Sequence, residues 1–500
     1  MDKIQLLYVE NVITRKKKTL QQHVFFFIEI ENLDYNKRID VIWAGEDGIW
    51  QTLPAVFHSL QSDNKEYWQA QIDIKATVDQ SLPGNIQFGL RYQVLNNEYW
   101  DNKNGRQYHS QADSGIKLVR QVIQPLAYNP RLFDKQKFVP VNIAVKSSQA
   151  INKVTIHWTL DNWQHTKKAS CHYRRHYWDK NFLSNARNPN QYGVQIWQAW
   201  LRVGSAFRLQ YSVCCETDTD VIWANNQGLN YTLARKPFKL MILNLHCYQE
   251  DNQDYKFSQI AKAINELDVD VVCLQEVAEF WNNGLGDWNS NAARIINDQL
   301  AVPYHIHTDW SHLGFDRYRE GVAILSRYPM YHHEARYVSE SHDPFSIHSR
   351  KVVMAEIDAP NMGPINVFSA HLSWWEDGFA YQFNQLRDWA SDRQHPNIAA
   401  TLLCGDFNVA VGSQGYQWVM ANGQYEDQYL MANSSHRQEQ NFRINDPYWQ
   451  QYQSNDYRID YVFMNKSSLL KATSANILFT DQDYGRVSDH SGYVLTFEPK

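Results

Sequence analysis

The feature that most constrains this chain is a repeat. The segment Trp100-Asp-Asn-Lys-Asn-Gly105-Arg-Gln-Tyr108 aligns without a gap to Trp223-Ala-Asn-Asn-Gln-Gly228-Leu-Asn-Tyr231, and each follows an aromatic-bearing strand pattern, FGLRYQV and FRLQYSV. Trp, Gly and Tyr stand at identical offsets, so this stretch is built twice. Upstream, Val41-Ile-Trp43 with Asp47-Gly-Ile-Trp50 parallels Ile156-His-Trp158 with Asp161-Asn-Trp163. Two copies of a sandwich-sized unit of about 110 residues follow. Strand patterns between polar turns fill this half, among them HVFFFIEIENL (23–33), KRIDVIW (37–43) and NIQFGLRYQV (85–94). The expectation is two all-β immunoglobulin-like sandwiches, 1–118 and 121–236, with a linker near Gly115 to Pro130.

After Arg235-Lys-Pro237 the period changes. LMILNL (240–245) reads as a buried strand, and Phe257, Ile260, Ala261, Ile264 and Leu267 share one helical face. VDVVCL (269–274), GVAILS (321–326), PINVFSA (364–370) and AATLLC (399–404) read as further buried strands, giving a layered α/β domain over 238–500. At roughly 150 residues per domain, 500 residues suit three domains.

Charge divides the same way. Residues 1–236 carry 29 Lys/Arg against 21 Asp/Glu, and 237–500 carry 19 against 33, a net of −6. The acidic half shows no broad phosphate-backbone binding face, so nucleic acid is not the favoured substrate. The run Arg15 to Lys18 reads as a solvated loop or strand edge. Cys171, Cys214, Cys215, Cys247, Cys273 and Cys404 form no CxxC pair and suit free, buried thiols in a reducing compartment. The start has no apolar signal region and no stretch of 18 apolar residues follows, so a cytoplasmic location and no transmembrane segment are expected.

Acidic, amide and histidine residues stand at the ends of the buried strands. Asn244 ends the first, Glu276 follows the second, His371 follows 364–370, and Asp406 and Asn408 follow 402–404. Asp460 sits in RIDYVF, and Asp489-His490 precede GYVLTF. A charge in such a place is costly unless paired or metal-bound. Carboxylates with an amide suit Mg²⁺ or Mn²⁺ rather than Zn²⁺, and two histidines suit proton transfer. The set favours phosphoester hydrolysis, with a metal neutralising phosphate oxygens, an Asp aligning water and a His meeting the developing charge.

LNLHCYQ, LQEV, EGVAILSRYP, SAHLSWW, GDFN, RIDYVF and VSDH occur in the order typical of the endonuclease/exonuclease/phosphatase superfamily, which this half resembles. The resemblance implies a deoxyribonuclease I-like four-layered α/β sandwich. It further implies Glu276 as principal metal ligand with Asn244 and Asp489 in the same shell, Asp406 orienting the attacking water, and Asn408 contacting the phosphate. His490 would be polarised by Asp460, and His371 would bind or protonate the phosphate from the other side. Glu320 matches the position that partners His371 in the nuclease branch, and Arg350 is a candidate phosphate contact. Trp374 and Trp375 either floor a substrate pocket or pack. LLCGDFNVA and NDYRIDYV depart from the signatures of inositol polyphosphate 5-phosphatases, and His371 departs from abasic-site endonucleases.

The large aromatic content, 18 Trp, 29 Tyr and 22 Phe, has a counterpart in the repeat. IEIENLDYNKRIDVIW, then Trp50 and YWDNKNGRQY, resembles family 21 carbohydrate-binding modules, which bind starch and glycogen. By that pattern Trp50, Trp100, Asn102 and Tyr108 in the first copy, and Trp163, Trp223, Asn225 and Tyr231 in the second, are candidate sugar-contact or site-supporting residues. Trp43 and Trp158 are expected in the cores. The second copy departs at Ala224 and over 171–191. Together the halves imply a Mg²⁺-dependent phosphoesterase held on an α-glucan such as glycogen or starch. A nuclease, a sphingomyelinase-like phosphodiesterase or a non-catalytic glucan-binding scaffold are the alternatives.

Overall fold

A computed structural model describes residues 3–16, 19–34, 37–61, 64–126, 131–146, 150–175, 183–184, 190–421, 423–433 and 458–500. Parts of five sequence features therefore lie outside the described residues: Lys17 and Lys18, Tyr35 and Asn36 of IEIENLDYNKRIDVIW, residues 127–130, most of 176–189, and 455–457. The chain divides into two compact units, residues 1–236 and 237–500. No helix among the described residues is long and apolar enough to cross a membrane, and all six cysteines are free and buried.

The first unit is mostly β. In the first copy, a sheet containing Ile4–Lys16, Thr19–Glu31 and Lys65–Lys75 and another containing Lys37–Ala44 and Ile86–Val94 enclose a common core. Trp43 belongs to it, and Trp158 occupies the equivalent core of the second copy, because both alternate inward along their strands.

The described part of the expected linker between the copies contains two short strands. Gly115–Leu118 is a strand paired with Ile4–Lys16, and Ile123–Leu126 is a strand paired with Phe138–Lys146. The copies also share a core of their own: Tyr8, Phe25, Phe27 and Tyr67 of the first pack with Ala144, Val194 and Ile196 of the second. The cause is visible in Phe25-Phe26-Phe27. Phe26 faces the sandwich interior while its neighbours point to the opposite face, which must be covered to keep two phenyl rings from water.

Among the described residues, the second unit holds two six-stranded sheets. In one, Phe238–Asn244 runs parallel to Val271–Phe280; in the other, Gly363–His371 runs parallel to Ala400–Asp406. Each parallel pair is joined through a helix, Gln253–Glu266 or Phe379–Asp392, as a parallel connection requires. The helix face expected from the sequence is buried at Phe257, Ile260, Ala261 and Ile264, and Leu267 caps the end. Between the sheets, the Gln275 amide donates to Ser369 Oγ at 3.0 Å and Ser369 Oγ donates to the Leu274 carbonyl at 3.3 Å. These bonds align the carboxyl ends of both parallel pairs.

Candidate active site

Those aligned strand ends carry the polar residues singled out in the sequence. A one-residue irregularity between Leu274 and Val277 breaks the ladder beside Glu276, which stands at φ 50°. Asn408 stands at φ 52°. Such backbones are rare for residues other than glycine and cluster where function fixes them. Gly405 in GDFN is obligatory: at φ 127°, a Cβ would lie 2.1 Å from the Ala370 carbonyl and 2.8 Å from Gln275 Nε2.

Asn244 braces the acids. Its Nδ2 donates to Glu276 at 2.8 Å and to Asp406 at 3.0 Å, while its Oδ1 accepts the His246 backbone N–H at 3.0 Å. Expected among the metal ligands, Asn244 instead turns an N–H donor toward the carboxylates. Asp406 also accepts the Asn408 N–H at 2.8 Å. Burial, then Glu320, pushes the Glu276 carboxyl up to about 7, and burial, then Asp460, pushes Asp406 up to about 7.

The two histidines have opposite charge preferences. His490 Nδ1 lies 2.8 Å from Asp460 and its Nε2 3.7 Å from Asp406. Burial opposes its protonation, but Asp460, Asp406 and Asp489 overcome this and hold the imidazolium well above its usual range. His371 is driven well below its usual range by burial and then by Arg350, so it is neutral. Arg350 approaches its Nδ1 at 3.3 Å and the Asn408 amide its Nε2 at 3.2 Å. A neutral imidazole accepts at only one nitrogen, and the Asn408 amide also donates to the Leu372 carbonyl at 2.8 Å.

One pairing differs from expectation. Glu320 lies 3.4 Å from His312, not against His371. Arg350, the candidate phosphate contact, lines the cavity and donates through its Nε to Ser373 at 3.3 Å. Asp489 is 3.6 Å from His246, which also meets Glu250 at 2.7 Å.

Glu276, Glu320, Arg350, His371, Asp406, Asn408, Asp489 and His490 line one cavity of about 350 Å³; Asn244 and Asp460 support it from behind. Sequence reasoning missed His246 and His312, which also line it. His246 lay within the quoted LNLHCYQ, whereas His312 is found only through its pairing with Glu320 across a hairpin. Trp374 lines the cavity, while Trp375 packs near Phe379 and Trp418.

A divalent metal fits the donors. Glu276 and Asp489 line the same cavity, and beside burial and Glu320, Asp489 helps to raise the Glu276 carboxyl, negative charge that a cation held between them would offset. Oxygen-rich donors favour a hard ion.

The candidate sugar residues divide into exposed or half-buried tryptophans and buried tyrosines. Trp50, Trp100 and Trp223 are exposed, and Trp163 is half-buried. Tyr108 and Tyr231 are buried and stack on Phe88 and Tyr211. Asn102 accepts the Gly105 N–H at 2.9 Å and Asn225 accepts the Gly228 N–H at 3.1 Å, so the repeated Asn and Gly close the same turn in both copies.

Comparison with known proteins agrees with this division. The model of the endonuclease/exonuclease/phosphatase family matches residues 241–490, and that of the family 21 carbohydrate/starch-binding module matches 3–111 and 128–234. An uncharacterised Escherichia coli protein, YbhP, is 29% identical over 181 residues, covering 34% of this chain and 66% of its own length. Protein phosphatase 1 regulatory subunit 3B of Xenopus tropicalis is 24% identical over 106 residues, covering 21% of this chain and 33% of its own. Among solved structures, an endonuclease/exonuclease/phosphatase family protein from Leptotrichia buccalis is 26% identical with a TM-score of 0.46, covering 52% of this chain and 99% of its own.

Proposed function

The chain belongs to the endonuclease/exonuclease/phosphatase family, whose members hydrolyse phosphoesters, and on that footing we propose that it is a Mg²⁺- or Mn²⁺-dependent phosphoesterase held on an α-glucan by its N-terminal modules. The observation that carries this reading is the convergence of an imidazolium, a neutral imidazole and crowded carboxylates in one cavity. The reading includes the four-layered deoxyribonuclease I-like arrangement for the second unit and immunoglobulin-like sandwiches for the first.

Glu276 and Asp489 would hold the metal, which when bound supplies charge neutralisation at the phosphate oxygens. Asp406, oriented by Asn244 and the Asn408 N–H, takes the proton of the attacking water at its carboxylate. Asn408 and His371 present N–H groups to phosphate oxygens. His490, held charged by Asp460, stabilises charge on the phosphoryl group and returns a proton to the leaving oxygen.

The test is a panel of phosphomonoesters, phosphodiesters, DNA and sphingomyelin with Mg²⁺. Phosphate or alcohol release that EDTA abolishes and Mg²⁺ restores is expected; an inert parent chain would favour a glucan-binding scaffold. For the other half, full-length protein carrying Trp100→Ala and Trp223→Ala together is expected to co-sediment with glycogen at least tenfold less than parent, since paired weak sites act jointly. Unchanged pelleting would remove these platforms from the account.

A further inference from the structure

The upper wall of the cavity is built differently from its floor. Strands His305–Gly314 and Tyr318–Ser326 join in a tight turn, with the Arg317 N–H donating to the Gly314 carbonyl at 3.1 Å. Its central residues, Phe315 and Asp316, stand at φ 49° and 55°. This type I′ geometry ordinarily takes Asn-Gly or Asp-Gly, because both central residues need the left-handed region. Phe315 suits it poorly and also leaves its ring 57% exposed. Turn chemistry and burial both disfavour an aromatic there.

What the residue gains is position. Phe315 lines the cavity, as do Ile347 and Trp374. The hairpin tip packs close to Glu320, whose Oε2 would lie 2.4 Å from a Cβ on Gly314. The loop bearing Ile347 is tied to the same hairpin by the Leu313 N–H donating to the Pro344 carbonyl at 2.6 Å. It is closed on itself by Ser349 Oγ donating to the Asp343 carbonyl at 2.7 Å. Apolar side chains thus share the lining of the cavity with the histidines and carboxylates. A cavity of roughly 150 Å³ takes a benzene ring, so 350 Å³ holds a phosphoryl group and one further ring.

Resting on the phosphoesterase reading, we propose that Phe315, with Ile347 and Trp374, forms the subsite for the sugar ring that bears the scissile phosphate. The substrate class is then a sugar phosphate or phosphorylated α-glucan. A pyranose presents an apolar C–H face to an aromatic ring and hydroxyls at its edge, and His312 and Glu320 line the same wall to meet them. Carbohydrate-binding modules on the same chain would bring that polymer to the cavity.

The test compares full-length parent, Phe315→Ala and Phe315→Asn with Mg²⁺ on glucose 6-phosphate, phosphorylated maltodextrin, phosphotyrosine, a nucleotide, sphingomyelin vesicles and methyl phosphate, which has no ring. Phe315→Ala is expected to lose about tenfold more kcat/KM on the sugar esters than on methyl phosphate, chiefly through KM. Asparagine accepts the left-handed turn, so Phe315→Asn should show the same selective loss while melting at or above the parent temperature. Equal losses on ringed and ringless esters, or a lower melting temperature for Phe315→Asn, would make the ring structural and overturn the subsite. A larger loss on phosphotyrosine, a nucleotide or sphingomyelin vesicles would overturn the sugar assignment. A parent inert on methyl phosphate and all ringed esters would overturn the phosphoesterase reading and the subsite together.

Discussion

Replacing His490 with alanine is expected to lower kcat by about 10³-fold, within the range that positioned proton transfer and charge stabilisation supply. The ring is the cation of the cluster: it contacts Asp460 at 2.8 Å and faces Asp406 at 3.7 Å. Those carboxylates hold it protonated against the cost of burial. Removing it takes away the proton donor and leaves Asp460, already carrying a buried oxygen without a hydrogen-bond partner, without its imidazolium partner. His490→Asn separates these contributions. It can restore a donor to Asp460 but not the charge, so it should recover folding more than turnover. Steady-state rates at saturating Mg²⁺, read beside thermal melting, check both; a loss below tenfold for His490→Ala would remove the residue from the chemistry.

Glu276→Gln should produce an enzyme that is more stable without metal and at least 10²-fold less active. The carboxyl moves from an ordinary value of 4.5 to about 7 through burial and Glu320. At about 1.4 kcal/mol per unit, its ionised form costs the folded state on the order of 3 kcal/mol. Because the folded value lies above the unfolded one, the cost is absent below about pH 4, grows toward pH 7 and is complete above it. Glutamine keeps an oxygen to accept the Asn244 N–H and removes the charge. Metal-free Glu276→Gln should therefore melt several degrees above parent at pH 8 and with it at pH 4. Added Mg²⁺ should raise the melting temperature of the parent at pH 8 much more than that of the variant. A variant that melts lower at pH 8 would show that the carboxylate is compensated by something other than a metal.

The sequence disclosed the site's membership better than its pairing. Strand cores read as apolar runs, and a polar residue directly after each run is conspicuous because burial there needs compensation; Glu276, His371 and Asp406 were found this way. Orientation was not available by that route. Which atom Asn244 turns to the carboxylates depends on the His246 backbone N–H. Which histidine Glu320 meets depends on register across a hairpin, where His312 lies opposite it. Phe315 escaped notice because a phenylalanine between Gly and Asp carries no turn signal. In the first half, three consecutive phenylalanines already implied a strand covered on both faces, but reading the repeat as two separate sandwiches hid what covers the second.

On the proposed glucan-binding reading, that shared core would turn the two modules into a ruler. Binding sites on a flexible tether sample many separations and engage almost any polymer within reach; sites fixed through Tyr8, Phe25, Phe27 and Tyr67 would offer one separation. Joint engagement would then be decided by whether the pitch of a glucan helix presents sugar rings at that interval. Amylose-like, branched and short linear chains of equal sugar concentration should be told apart by geometry, without any difference in the contact made at either tryptophan.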